Sequence, residues 1–134
     1  MKISRLKRGD EVVSSLNRIV EKMEGGLVLG IGALDSARLK IYNLETKTYL
    51  EKEFTGPLEV AGFMAIIAKN PEGKSELHPH ITVCDTNFNS SGGHLAEAQV
   101  GATFEYAILE SDEEISRYHD AEIGLNLIKE GDNE

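Results

Sequence analysis

Three histidines fall within positions 78–94: His78, His80 and His94. Neutral imidazole is a favoured ligand of zinc and similar divalent metals, and three of them leave the ion room for water or another ligand. His78 and His80 stand two apart in Leu77-His78-Pro79-His80-Ile81-Thr82-Val83-Cys84. On an extended chain, residues i and i+2 leave the same face, so both rings would project from one side of a strand. His94 follows Gly92-Gly93, a pair read as a sharp turn that returns the backbone. The expected site is a divalent metal, zinc first, on His78, His80 and His94. Cys84 shares the parity of His78 and His80 but lies four residues beyond His80, too far for the same ion, and reads as a core thiol. The fourth histidine, His119, sits in the polar segment Ser116-Arg117-Tyr118-His119-Asp120 and reads as exposed and uninvolved.

A divalent ion on neutral imidazoles stays Lewis-acidic, and a nearby carboxylate can orient a ligand ring or act as a base. Glu59, Glu97 and Glu105 are the candidates, with Glu97 read as surface charge. Glu59 lies in the apolar run 58–68, where an unpaired carboxylate would be costly, so it needs a polar partner. Arg38 is the candidate partner. No nucleophile–base pair stands out, so no catalytic residue is assigned. Gly30-x-Gly32 lacks the third glycine and the following helix of a dinucleotide loop.

The elements that must position these residues are mostly strands. Asp10 can cap one helix, whose apolar positions are Val12, Val13, Leu16, Ile19, Val20 and Met23, with Gly25-Gly26 as its stop. Strands are expected at about 27–34, then as a hairpin at 37–44 and 46–54. Gly56-Pro57 is read as a break before a long apolar strand at 58–68, with a short buried helix as the alternative. The histidine strand runs about 77–84, followed by a polar loop at 85–93. Strands at 94–100 and 103–110 meet at Gly101. Ser111 with Glu114 resembles a capping box, and a last strand covers 123–128. One helix and about eight strands joined by tight turns argue an α+β fold with a largely antiparallel sheet.

The chain has 134 residues, enough for one domain (1–134) with a real core. Its net charge of −9 opposes nonspecific nucleic-acid binding, although Lys2, Arg5, Lys7 and Arg8 cluster at the start. No apolar run approaches the roughly 20 residues that span a bilayer. Residues 1–9 are basic with no apolar stretch after them, so no secretory signal is expected. With a single cysteine, an internal disulfide is impossible. The expected location is the cytoplasm. The acidic tail, 129–134, reads as a frayed terminus.

Nearly the whole chain resembles the PPC (plants and prokaryotes conserved) domain in its prokaryotic stand-alone form. The resemblance is carried by Arg5-Leu6 with Gly9-Asp10 before the helix, by Gly30-Ile31-Gly32-Ala33-Leu34, and by a following strand with Tyr42. Gly56-Pro57-Leu58-Glu59-Val60 with Gly62, His78-x-His80, Gly92-Gly93-His94-Leu95 and Thr103-x-Glu105 complete it. It implies a two-layer, sandwich-like fold with one main N-terminal helix, and a homotrimer. It also implies metal-ligand roles for the histidines. Plant relatives are joined to AT-hooks, but no Arg-Gly-Arg core occurs here, so a DNA role is not expected to carry over. Pro79, where an aliphatic residue is commoner, lacks an N–H and should mark an edge or an interrupted ladder. Two alternatives rank lower: a DNA-binding, transcription-associated module, and a cupin-like metalloenzyme. Gly73, His78, His80, Asp85 and Gly92 approach a cupin motif, but with Asp where Glu is usual and with no second motif.

Overall fold

The computed structural model describes residues 1–131, so the last three residues of the acidic tail lie outside the described region. The element order is β1 (Lys2–Lys7), α1 (Val12–Val20), β2 (Gly26–Asn43), β3 (Thr48–Lys69), β4 (Ser75–Cys84), β5 (Ser90–Glu110), β6 (Arg117–Asp120) and β7 (Leu125–Ile128). The first five strands form an antiparallel sheet in the order β1-β5-β2-β3-β4, and β4 also pairs with β5. β6 and β7 make a separate two-stranded hairpin. Among the described residues, no helix is long and apolar enough to cross a membrane.

This architecture corrects the α+β expectation. The sheet is antiparallel as expected, but the one helix among the described residues has nine residues and the fold is essentially all-β. α1 is an apolar plug on one face of the sheet, not a layer of its own. Val12, Leu16 and Val20 are fully buried against β4 and β5, in a core that includes Phe104, Val28, Ile67 and Leu95.

Five local expectations also give way. The helix cap is Glu11 rather than Asp10. The Glu11 carboxylate accepts from Val13 N and Ser14 N and also, at 2.9 Å, from Ala98 N on β5. Asp10 instead accepts from Lys7 N in the preceding turn. The expected strand pairs 27–34 with 37–44, 46–54 with 58–68, and 94–100 with 103–110 are each one long strand. Gly56-Pro57 does not break β3, because register shifts opposite Asp35 set two residues against one. Such a bulge holds a proline without asking it to donate to the ladder. The polar loop shortens to about 85–89, where Asp85 Oδ1 accepts from Asn87 N and Asn89 N. Gly92-Gly93 is therefore not a turn. Both glycines lie inside β5, opposite Thr82 and Ile81. A Cβ on Gly93 would lie 2.8 Å from Lys40 O, so its bare Cα lets the strands approach closely. Ser111 and Glu114 start no helical turn; Ser111 Oγ accepts from Glu113 N, and Glu114 pairs with Lys69 at 2.9 Å.

Because Glu11 ties α1 to β5, Glu11→Ala removes a cap and strips a partner from Ala98 N. The expected loss is about 1–3 kcal/mol, read as a fall in the urea midpoint at unchanged slope. A midpoint equal to that of the parent would show that Glu11 is not the clamp.

Candidate metal centre

β4 positions two of the histidines by parity. Leu77, Pro79 and Ile81 point into the core, whereas His78 is half-buried and His80 exposed on the other face. β5 supplies the third. His94 sits directly opposite His80 in the β4–β5 ladder and opposite Lys40 on β2. That ladder begins at His80, immediately after Pro79, so pairing on this side of β4 stops where the proline stands. Further back along β4, Leu77 N is satisfied by Asn17 Oδ1 of α1 at 2.9 Å.

The three rings converge. Their centroids are 5.1 Å apart for His78 and His80, 5.2 Å for His78 and His94, and 5.9 Å for His80 and His94. One nitrogen from each lies within 4.8 Å of the others. Burial, chiefly, drives the His78 pKa down to about 4, helped by the charge of Arg117 and by His94 and His80. His94 is lowered too, by burial first, then by His80 and Lys40. Both rings are thus neutral at pH 7, the form that ligates metals. His94 Nδ1 is buried with no hydrogen-bond partner among the described residues. Leaving a buried polar atom unmatched costs about 1–3 kcal/mol. The donor set fits a divalent ion, which would bring Lewis acidity to the site.

A cavity of about 540 Å³ opens beside the cluster, between β4 and the β6–β7 hairpin. It is lined by His78, His94 and Tyr49, and from the hairpin by Arg117, His119 and Asn126. His119 is exposed, as expected, but is not remote: it borders this cavity and contacts Asn126 Oδ1 at 3.1 Å. Arg117 donates to Asn126 O at 3.1 Å, and burial lowers its pKa despite the nearby Glu76 charge.

The structure does not bring Arg38 and Glu59 together. Arg38 pairs with Glu51 at 3.3 Å and with Glu97 at 3.2 Å. Glu59 is exposed, opposite Ala33 and Cys84, with no ion pair among the described residues. Cys84 is half-buried, 3.3 Å from Ser90 Oγ, and stands outside the imidazole cluster. Asp85 is engaged with its own loop, away from the role a cupin motif would give it.

The depressed His78 pKa has a consequence for the metal-free protein. Between about 6.5 and about 4 the unfolded chain binds a proton at this ring and the folded chain does not. The His78 contribution is therefore complete above pH 6.5 and lost as the pH falls toward 4. Urea titrations at pH 7 and 4.5 should show a smaller acid-induced loss in His78→Asn than in the parent. Equal losses would mean that the ring is not held neutral.

Residues 2–112 match the family model of the Plants and Prokaryotes Conserved (PCC) domain. No curated protein matches the sequence. Among solved structures, a candidate DNA-binding protein from Bacteroides thetaiotaomicron is similar at TM-score 0.90 and 29% identity, over 95% of this chain and 90% of that one. A metal-containing protein from Archaeoglobus fulgidus is similar at TM-score 0.86 and 28% identity, over 96% of this chain and 92% of that one. A plant- and prokaryote-conserved (PPC) protein from Pyrococcus horikoshii reaches TM-score 0.87 at 23% identity, over 96% and 90%, a likeness of fold alone.

Proposed function

The chain belongs to the Plants and Prokaryotes Conserved domain family, and from that premise we propose that it is a metal-binding protein that holds one zinc ion per chain through His78, His80 and His94 and assembles as a homotrimer. The observation that carries the metal reading is the meeting of three imidazoles from two strands, two of them driven neutral, with one nitrogen from each within 4.8 Å of the others. The Archaeoglobus relative, itself a metal-containing protein, supports it. Elemental analysis of protein loaded with zinc and dialysed against chelator-treated buffer should find one zinc per chain. A ratio near zero would overturn the reading.

Self-assembly is supported by the face of the sheet opposite α1. One row across the strands reads His80, Met64, Leu29, Ala107 and Ile3, and a second reads His78, Ile66, Leu27 and Leu109. Both rows begin at the histidines and run into apolar side chains; Ile3 is 70% exposed and Met64 58% exposed. A contiguous apolar surface on this scale marks a contact surface. Sedimentation should give three times the chain mass, and Leu29→Glu with Met64→Lys should give single chains.

A DNA-binding role is the second reading, favoured by the name of the Bacteroides relative and by the exposed Lys2, Arg5, Lys7 and Arg8. Against it stands the net charge of −9. Absence of a mobility shift with duplex DNA at low salt would end it.

A further inference from the structure

We propose that the cavity between the histidine cluster and the β6–β7 hairpin binds a small organic carboxylate, its charged end on Arg117 and its other end at the histidines. The inference deepens the metal reading and rests on it for that second contact. Arg117 and His119 stand two apart on β6, so both leave the same side of the hairpin, the side that faces His78 and His94. Arg117 is half-buried, yet it makes no ion pair among the described residues. Its one side-chain hydrogen bond among the described residues goes to a backbone carbonyl, Asn126 O. Glu76 borders the same cavity without closing on the guanidinium.

A guanidinium presents a planar fork of donors that fits a carboxylate with two parallel hydrogen bonds. Half-buried, with most of those donors uncommitted, it is a receptor for an anion. Zinc on the histidines would add two more positive charges at the far side of the cavity. Tyr49, whose ring centroid stands 6.1 Å from that of His94, also lines the cavity and gives a carbon skeleton an aromatic wall that an inorganic ion would not use. At about 540 Å³ the space admits a small metabolite-sized acid, not a polymer.

Calorimetric titration of the zinc-loaded protein with succinate, lactate and inorganic phosphate tests this, with zinc content measured on the same samples. At least one organic acid should bind, tenfold or more tighter than phosphate. Arg117→Gln should weaken it at least tenfold while bound zinc stays unchanged, and Arg117→Lys should restore part of the loss. Equal affinity in Arg117→Gln, tighter binding of phosphate, or no heat from either acid at millimolar concentration would overturn the proposal. If the samples hold no zinc, the metal reading fails by itself. The Arg117 dependence of acid binding is then read on the metal-free protein, where its absence overturns the carboxylate site separately.

Discussion

His94→Ala is expected to weaken zinc binding at least a hundredfold while leaving the metal-free fold as stable as the parent. Structural zinc sites with four protein ligands gain about 10–16 kcal/mol, or roughly 3 kcal/mol for each ligand, and that is more than a factor of 10². In the proposed site His94 is the ligand that β5 supplies; without it an ion would keep two rings from a single strand. The stability side follows from the unmatched Nδ1. Alanine removes a buried polar atom that has no partner, a relief that offsets the lost ring contacts, including those with Tyr49 at 6.1 Å between centroids. Metal-free parent and variant should therefore unfold within about 1 kcal/mol of each other. With excess zinc, only the parent should melt at higher temperature, because ligand binding to the native state alone adds stability. Competition against a chromophoric chelator reads the affinity. Parent-like zinc affinity in His94→Ala would remove this ring from the site.

The second large effect concerns the core that holds both histidine strands in place. Phe104 is fully buried and meets Phe63 edge to face, with ring centroids 5.1 Å apart and planes at 88°. Its ring also occupies the space above Gly30, where a Cβ would lie 2.6 Å from Phe104 Cζ. Phe104→Ala should cost about 3–5 kcal/mol, since deletion of a buried aromatic leaves a cavity that the backbone can only partly close. A domain of this size has about 5–15 kcal/mol in all, so the variant should stand close to unfolding at 25 °C. Gly30→Ala should destabilise through the same contact from the other side. Urea denaturation measures both. A loss below 1 kcal/mol for Phe104→Ala would show that the site collapses freely and that the ring is no keystone.

The histidine pair was legible because strand parity is a period of two, and nothing in the fold disturbs it between positions 78 and 80. His94 was legible as the third member of the cluster, but for another reason than the one that operates. Gly-Gly is a common turn, whereas here the turn lies at about 85–89 and the glycines admit Lys40 O to the flank of β5. Glycine marks close approach and chain reversal alike, and only tertiary neighbours decide between them. The same ambiguity cut three long strands into pieces, since a bulge at Gly56-Pro57 reads locally like a break.

Glu59 misled because burial was inferred from an apolar run. In β3 that run is apolar on both faces: Phe63, Ala65 and Ile67 are in the core, whereas Met64 lies on the exposed face. A strand prepared for contact on both sides hides which face is wet, and Glu59 is on the wet one. Arg117 and His119 give no sign of the site in the sequence, because their segment is polar and distant from the other histidines. Their place beside His78 comes from the docking of the β6–β7 hairpin, for which a parallel bridge between Lys69 and Ser116 is one fastening. The overall class was misjudged by weight: the helix is where its apolar spacing puts it, but it covers only Val12–Val20 of a chain made mostly of strands.

The most direct test of the metal centre is X-ray absorption at the zinc edge on the zinc-loaded protein. The spectrum should show a first shell of nitrogen and oxygen at about 2.0–2.1 Å, with outer-shell scattering from three imidazole rings. Sulfur at about 2.3 Å, or a shell of water oxygens with no imidazole scattering, would contradict convergence of His78, His80 and His94 on one ion.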